Sequence, residues 1–405
     1  MDTELAVLMS LIAMLLWGSW ANTILLAKTR FELYMLDFMI GHVISGLLQV
    51  SKAAPSLAHA ITTGWHGASV VGICTVAGVF YAFAMLLSVA ACNLAGMALS
   101  TVLVLGVEIC LGTPLLMLVE ALGTIEHVAF SVGGIVAVLM ATLFDFLCHA
   151  RLEKDRMSTI SGRSHVNVHE RSSSLSFMSF DVVGTLSAHS RQPRGSSSLE
   201  GISMGIPRGS NTFLTHSFVP SLSSHLSPRV GGARCGMLLA GLSGVLFSMW
   251  PVASSIVEGQ TRAGNVFASA KLVPSSFFLL YSTSSLLACL LLLPFACRNP
   301  IHRGEPLEFW PSYLALPSKV HLFAVVGGAM HGLGTVLSLE SGRILGNTIS
   351  VSILRCHPLV VSLWGVCAWA ELRGAKLAAA LSFAFMLLMF VVAVAMFLCA
   401  DLLNE

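Results

Sequence analysis

Charge is what this chain has least of. Its 405 residues include 22 Lys and Arg and 20 Asp and Glu, 10% in all, against roughly 25% in an average soluble domain. With 55% hydrophobic residues, a water-soluble chain of this length could not cover its apolar surface. Other absences narrow the function. No C-x-x-C pair and no Cys/His group with zinc spacing occurs, and the ten Cys lie mostly inside apolar runs, where they read as small buried hydrophobes. No N-x-[ST] glycosylation sequon, phosphate-binding G-x-x-x-x-G-K-[ST], hydrolase triad or dinucleotide motif is present, so nothing supports catalysis, ATP-driven pumping or a bound cofactor. A net charge of +2 carries no signature of nucleic-acid binding. The apolar runs do not alternate with polar residues, which excludes a β-barrel.

What is there is a set of apolar runs that reach the ~20 residues needed to cross a hydrocarbon core. Ten are counted, near 5–27, 35–51, 69–92, 95–119 and 128–149, then 235–257, 274–297, 319–340, 344–369 and 376–400. Helices are the form these take, because lipid offers no partner for backbone N–H and C=O groups. The second run is the weakest, being short and holding Asp37, His42 and Gln49. The first begins with Asp2 and Glu4 rather than basic residues and is too long for a signal-peptide core, so it reads as a retained span. The expected fold is an all-α integral membrane protein of ten transmembrane helices arranged as two inverted five-helix repeats.

Three segments follow: 1–149, the first five-helix membrane repeat; 150–233, a Ser-rich loop; and 234–405, the second repeat. The central segment holds 20 Ser and, counting Arg234 at its far boundary, ten basic against five acidic residues. It has no long apolar run, so disorder is expected. Its Arg191–Ser198 stretch, R-Q-P-R-G-S-S-S, would suit a basophilic kinase as partner, with a plain linker as the other reading. Lys and Arg bias sets orientation. The loops sharing a side with 150–233 carry 17 basic residues and the opposite side 4, or 7 against 4 without that segment. A cytoplasmic 150–233 loop and outward termini are expected, in the plasma membrane rather than an internal one.

The halves resemble each other. A shift of 250 residues pairs Gly78 with Gly328, Ser88 with Ser338, Gly96 with Gly346 and Ser100 with Ser350, and a shift of 230 pairs Trp20 with Trp250. Five spans per half place the second half inverted to the first. Many secondary transporters share that architecture, with the solute site at mid-membrane between the repeats.

Ionisable groups at mid-span cost ~3 kcal/mol each on insertion scales, so the few present are informative. Glu108 lies in span four and Arg355 in span nine. Arg355 corresponds to Leu105 under the 250 shift, about one turn from Glu108, so the two could meet as an ion pair. A structural pair and a substrate- or proton-coupling role compete for them. A pair would leave a nearly neutral cavity that suits an uncharged solute, and a free Arg355 would suit an anion. Asp37 reads as an interfacial carboxylate with a second reading as a proton-linked group. His42 and His331 lie in spans and read first as packing residues. In span one, Trp17 and Trp20 share a helix face. With Asn22 they could form a stacking wall plus an amide for a planar heterocycle, or an aromatic packing stripe. Trp250 is their counterpart in the second half.

The W-G-S-W-A-N of Trp17 to Asn22, the aromatic–Asp–aromatic pattern at Tyr34 to Phe38, the G-x-x-I-S from Gly346, and the L-W-G-V-x-x-W-x-E-x-R-G of Leu363 to Gly374 resemble the ureide permease family of the drug/metabolite transporter superfamily. The resemblance covers nearly all of the membrane part. It implies ten spans with a long central cytoplasmic loop, and proton-coupled import of allantoin and of nucleobases such as uracil and xanthine. Two departures stand out: a Walker-A-like sequence of plant members is absent, and Arg355 occupies a position where relatives carry an uncharged polar residue. The expected substrate-binding residues are Trp17, Trp20, Asn22, Trp250, Asn347 and Arg355. The expected proton-coupling residues are Glu108 and, second, Asp37. The expected partners are a small-molecule substrate, protons and the lipid bilayer. An organic-anion transporter of sugar phosphates or nucleotide sugars, and a non-transporting membrane scaffold, are the alternatives.

Overall fold

The computed structural model describes residues 2–120, 125–166, 230–259, 270–299, 305–370, 372 and 375–402. The chain divides into two units, Met1–Lys154 with His216–Glu405, and Asp155–Thr215. Of the second unit, only the end of one helix lies among the described residues.

Fifteen helices follow in order: α1 Thr3–Ser19, α2 Ala21–Ala27, α3 Phe31–Leu47, α4 Val50–Thr62, α5 Trp65–Ala95, α6 Met97–Val119, α7 Ile125–Val166, α8 Val230–Phe247, α9 Met249–Glu258, α10 Pro274–Arg298, α11 Phe309–Leu314, α12 Ser318–Leu345, α13 Asn347–Leu354, α14 Pro358–Cys367 and α15 Leu377–Leu402. No strand occurs among the described residues. Nine helices or helix pairs among them are long and apolar enough to span a membrane, and α3 with α4 makes a tenth if that pair, bent by 83°, is one span. The protein is an all-α integral membrane protein.

Four expected spans are interrupted. The second, expected at 35–51, is α3 followed by a sharp turn at Leu48 and Gln49 into α4, where Gln49, Ser51 and Lys52 end the apolar run. The first breaks at Trp20 and the sixth at Ser248. The ninth breaks over Arg355–His357. Two of these breaks have a proline behind them. Proline lacks an N–H, and its ring collides with the carbonyl four residues earlier. Pro358 therefore frees the carbonyl of Leu354, which accepts the His357 backbone N–H at 3.0 Å instead. Pro251 stands in the same relation to Phe247, the last residue of α8. A further correction concerns the central segment. Expected to be unstructured from residue 150, it begins as helix, because α7 continues to Val166. Arg151 ties this extension to α15 by donating to the Ala378 carbonyl at 2.8 Å. The stretch 167–229, including Arg191–Ser198, lies outside the described residues.

The two halves use matching parts. Each opens on a broken helix and carries a long helix that ends at a glycine with positive φ. Gly96 (φ 90, ψ 149) follows α5 and Gly346 (φ 81, ψ 144) follows α12, a conformation open to glycine at little steric cost. The shift of 250 is repeated in the packing. A Cβ on Gly78 would lie 2.2 Å from the Tyr281 carbonyl oxygen, and one on Gly328 would lie 1.8 Å from that of Phe38. So α5 rests on α10 backbone to backbone, and α12 rests on α3 in the same way. Each half thus lays its third span on the second span of the other, and the core forms where α1, α3, α5, α10 and α12 converge.

Candidate functional site

At that convergence lies a cluster of aromatic and imidazole rings. Trp17 of α1 stacks on His331 of α12 with centroids 4.2 Å apart. Its Nε1–H donates to the His331 carbonyl and to Thr335 Oγ1, both at 3.1 Å. Trp20, at the α1–α2 break, lies 4.9 Å from Phe38 and edge-on to His331. Trp250, just past the α8–α9 break, approaches Trp17 at 6.2 Å and Tyr281 at 6.3 Å. His42 stacks on Tyr81 at 5.6 Å with the rings nearly parallel. His331 Nδ1 and His42 Nε2 share a hydrogen bond of 3.1 Å, and the Tyr81 hydroxyl lies 3.3 Å from His331 Nε2. Two polar atoms of the cluster have no partner among the described residues, Trp250 Nε1 and His42 Nδ1. Their side chains are 2% and 0% exposed. Buried polar groups are nearly always satisfied, so these two point to a ligand.

Tyr81 and His331 are 250 residues apart, the internal shift itself. Equivalent positions in two repeats meet where the repeats face each other. Along the sequence His42 and His331 read as separate packing residues, and Tyr81 carries no signal of its own. The usable signal was that shift, applied to chemistry rather than to identical residues.

Arg355, the first residue of the α13–α14 break, is buried with Glu108 of α6. Its Nε donates to Glu108 Oε1 at 3.2 Å and its Nη1 to Thr113 Oγ1 at 2.7 Å. Gly112 makes room, since a Cβ there would lie 2.3 Å from Nη2. The expected meeting of the two halves through this pair is observed, and it leaves no net charge at that level.

The remaining expected residues lie in other settings. Asp37 turns to the start of α12 and to α11. It accepts from Tyr313 Oη at 2.5 Å and contacts His321 Nδ1 at 2.6 Å. Burial, with the Asp37 carboxylate beside it, pushes the Tyr313 phenol up. The Asn22 amide donates to the Ser19 carbonyl at 3.0 Å and accepts from Trp369 Nε1 at 2.7 Å, which ties α2 to the end of α14. Asn347 starts α13 in a polar knot around Glu120, a residue the sequence reading missed. Glu120 accepts the backbone N–H of Asn347 at 3.1 Å and of Thr348 at 3.0 Å, with the hydroxyls of Thr348 and Ser255 at 2.7 and 2.8 Å. A carboxylate at a helix N-terminus satisfies donors that lack an intrahelical partner. Among the described residues, no group of three or more His, Cys, Asp or Glu could hold a metal ion.

Set against known families, residues 33–400 match the one described as ureide permease. No curated protein and no solved structure matches the chain.

Proposed function

Because the chain belongs to the ureide permease family, a family of transporters, with 33–400 matched, we propose that it is a secondary active transporter of uncharged nitrogen-rich heterocycles. The solutes are ureides such as allantoin and nucleobases such as uracil or xanthine, carried with protons. The observation that carries this reading is the buried ring cluster between the halves with two unpartnered polar atoms, Trp250 Nε1 and His42 Nδ1. Flat heterocycles stack on aromatic faces for ~1–3 kcal/mol per base, and their carbonyl and ring N–H edges suit an indole donor and an imidazole nitrogen. When the rings part, a planar solute takes the place between them.

The pairing of Arg355 with Glu108 supports a neutral solute. An organic anion would call for a guanidinium without a counter-charge, and Glu108 supplies one here, although Arg355 Nη2 itself has no partner among the described residues. Trp17, Trp20 and Trp250 line the solute, while Asn22, Asn347 and Arg355 support the helix breaks around it. Residence in the plasma membrane, with the 150–233 loop cytoplasmic and open to a basophilic kinase, completes the reading. Uptake of labelled uracil and allantoin into proteoliposomes, with and without an inward pH gradient, tests it. Accumulation that grows with the gradient is expected. Uptake of no purine, pyrimidine or ureide removes the substrate class, and uptake indifferent to the gradient removes the coupling.

A further inference from the structure

The ring cluster that takes the solute in this reading contains no carboxylate to carry a proton. Its titratable members are His42 on α3, Tyr81 on α5, Tyr281 on α10, His331 on α12 and, beside Trp17 at 5.5 Å, His357 in the α13–α14 turn. The Cys289 thiol on α10 also faces Tyr81, and the carboxylate that acts on Tyr81 and Tyr281 is that of Glu108, which Arg355 holds at 3.2 Å. Protonating Glu108 would leave that guanidinium buried without its counter-charge. Asp37 is engaged by Tyr313 and by His321 at the start of α12, ten residues before His331 along that helix.

We propose that the His42–His331 imidazole pair is the proton-binding site of the transporter, and that proton and solute occupy it together. This rests on the transport reading above. A neutral imidazole has one N–H and one lone pair. His331 Nδ1 and His42 Nε2 share one hydrogen bond at 3.1 Å, and the Tyr81 hydroxyl lies beside the His331 ring, 3.3 Å from Nε2 and 3.5 Å from Nδ1. The outer nitrogen of the pair, His42 Nδ1, is buried and unpartnered among the described residues.

When His42 donates from Nε2, Nδ1 carries a bare lone pair. A proton from the aqueous phase adds there. One N–H bond forms, none breaks, and the pair gains one positive charge. In the other tautomer Nδ1 already carries hydrogen and the proton adds at His331 Nε2, beside the Tyr81 hydroxyl. The two products interconvert when the shared hydrogen crosses from His331 Nδ1 to His42 Nε2, which places the charge on His42 and leaves a His42 Nδ1–H that no group among the described residues accepts. A solute carbonyl oxygen accepts it. A buried cationic N–H without an acceptor is unfavourable, and a solute without that donor forfeits a charge-assisted hydrogen bond. Each therefore promotes the binding of the other, and they are released together on the far side, where the proton returns to water.

The test uses the full-length protein, wild type and the variants His42→Gln and His331→Gln, since glutamine keeps polar atoms but does not titrate. Two transport modes are read in proteoliposomes, counterflow of labelled uracil between preloaded pools and accumulation driven by a pH gradient. His331→Gln, which removes a titrating ring that the solute does not touch, is expected to keep counterflow and to lose accumulation, while His42→Gln, which also removes the donor to the solute, is expected to weaken both. In detergent, acid quenching of tryptophan fluorescence is followed as well, because Trp17 stacks 4.2 Å from His331 and an imidazolium quenches indole. The quenching step is expected in wild type and not in either variant. Wild-type accumulation in either variant, or an unchanged quenching step, overturns the proposal. Joint loss of counterflow and accumulation in His331→Gln makes the pair a solute ligand only and also overturns it. If neither glutamine variant folds, Tyr81→Phe decides: a shifted quenching midpoint supports the site and an unshifted one overturns it. If wild type moves neither uracil nor allantoin, the transport reading falls, and the fluorescence titration alone judges the proton site.

Discussion

Two tryptophans of the cluster have the same indole and opposite circumstances. Trp17 Nε1 meets two acceptors on α12 at 3.1 Å, while Trp250 Nε1 meets none among the described residues. Removing the N–H while keeping an aromatic ring should separate the two. Trp250→Phe is expected to leave the thermal midpoint in detergent near wild type and to raise KM for the heterocycle about five- to tenfold, the effect of one net hydrogen bond of roughly 1 kcal/mol. An unchanged KM would take Trp250 out of the solute site. At the edge of the bundle, Tyr313 reports on pH. Its phenol is pushed up by burial and by Asp37, so the folded state holds the proton more tightly than the unfolded chain. Stability is intact below the unfolded value of about 10 and declines as pH rises above it. Tyr313→Phe should flatten that alkaline decline in an unfolding series followed by circular dichroism, and an unaltered slope would count against the stated environment.

Helix contacts in this protein are set by glycines at the same place in each half. Gly328 allows α12 to touch the Phe38 carbonyl of α3, and Gly78 allows α5 to touch that of Tyr281 on α10. In both cases the obstacle to a larger residue is backbone, which cannot rotate away. Gly328→Ala is expected to destabilise by about 1–3 kcal/mol through overpacking. Gly72, on the open side of α5 with nothing within 4 Å of a Cβ, should accept alanine with no loss or a gain of up to about 1 kcal/mol. Thermal unfolding of the two variants side by side checks the contrast, and equal midpoints would contradict the close approach. The helix breaks belong to the same scale. Pro251 and Pro358 interrupt spans in the second half, placing Trp250 and Arg355 beside non-helical turns where side chains from several helices can gather.

Across the whole molecule, one buried ion pair joins α6 of the first half to the α13–α14 turn of the second. Removing one partner leaves a charge without its counter-ion, which destabilises by about 3–5 kcal/mol in buried pairs. Glu108→Gln and Arg355→Gln should each lose folding or uptake. The exchange Glu108→Arg with Arg355→Glu should recover part of both, because the interaction is reciprocal. Failure of the exchange to improve on either single variant in the uptake assay would show that the surroundings, Thr113 and Gly112 among them, accept the charges in one arrangement only.

Much of this architecture follows from local sequence. Whether a stretch crosses a membrane depends on summed apolar length, a property each segment carries alone, and nearly all the spans lie where the apolar runs are. The internal repeat is also visible, because Gly78, Gly96, Gly328 and Gly346 stand at positions where backbone approach or positive φ admits little else. The nearness of Glu108 and Arg355 followed from that repeat. Other features depend on how helices rotate and cross, which no single segment encodes. The continuation of α7 past residue 150 carries no apolar signal to betray it. Glu120 became a helix cap because α6 ends beside the start of α13. His42 and His331 look like isolated polar residues along the chain, separated by 289 positions. Only the interlocking of α3, α5 and α12 brings their nitrogens to 3.1 Å and leaves one buried nitrogen without a partner. The sequence by itself determined the solvent, the spans and the doubling of the chain. The tertiary structure decided which polar groups meet, because a buried hydrogen bond requires donor and acceptor within a few tenths of an ångström, and that precision comes from packing.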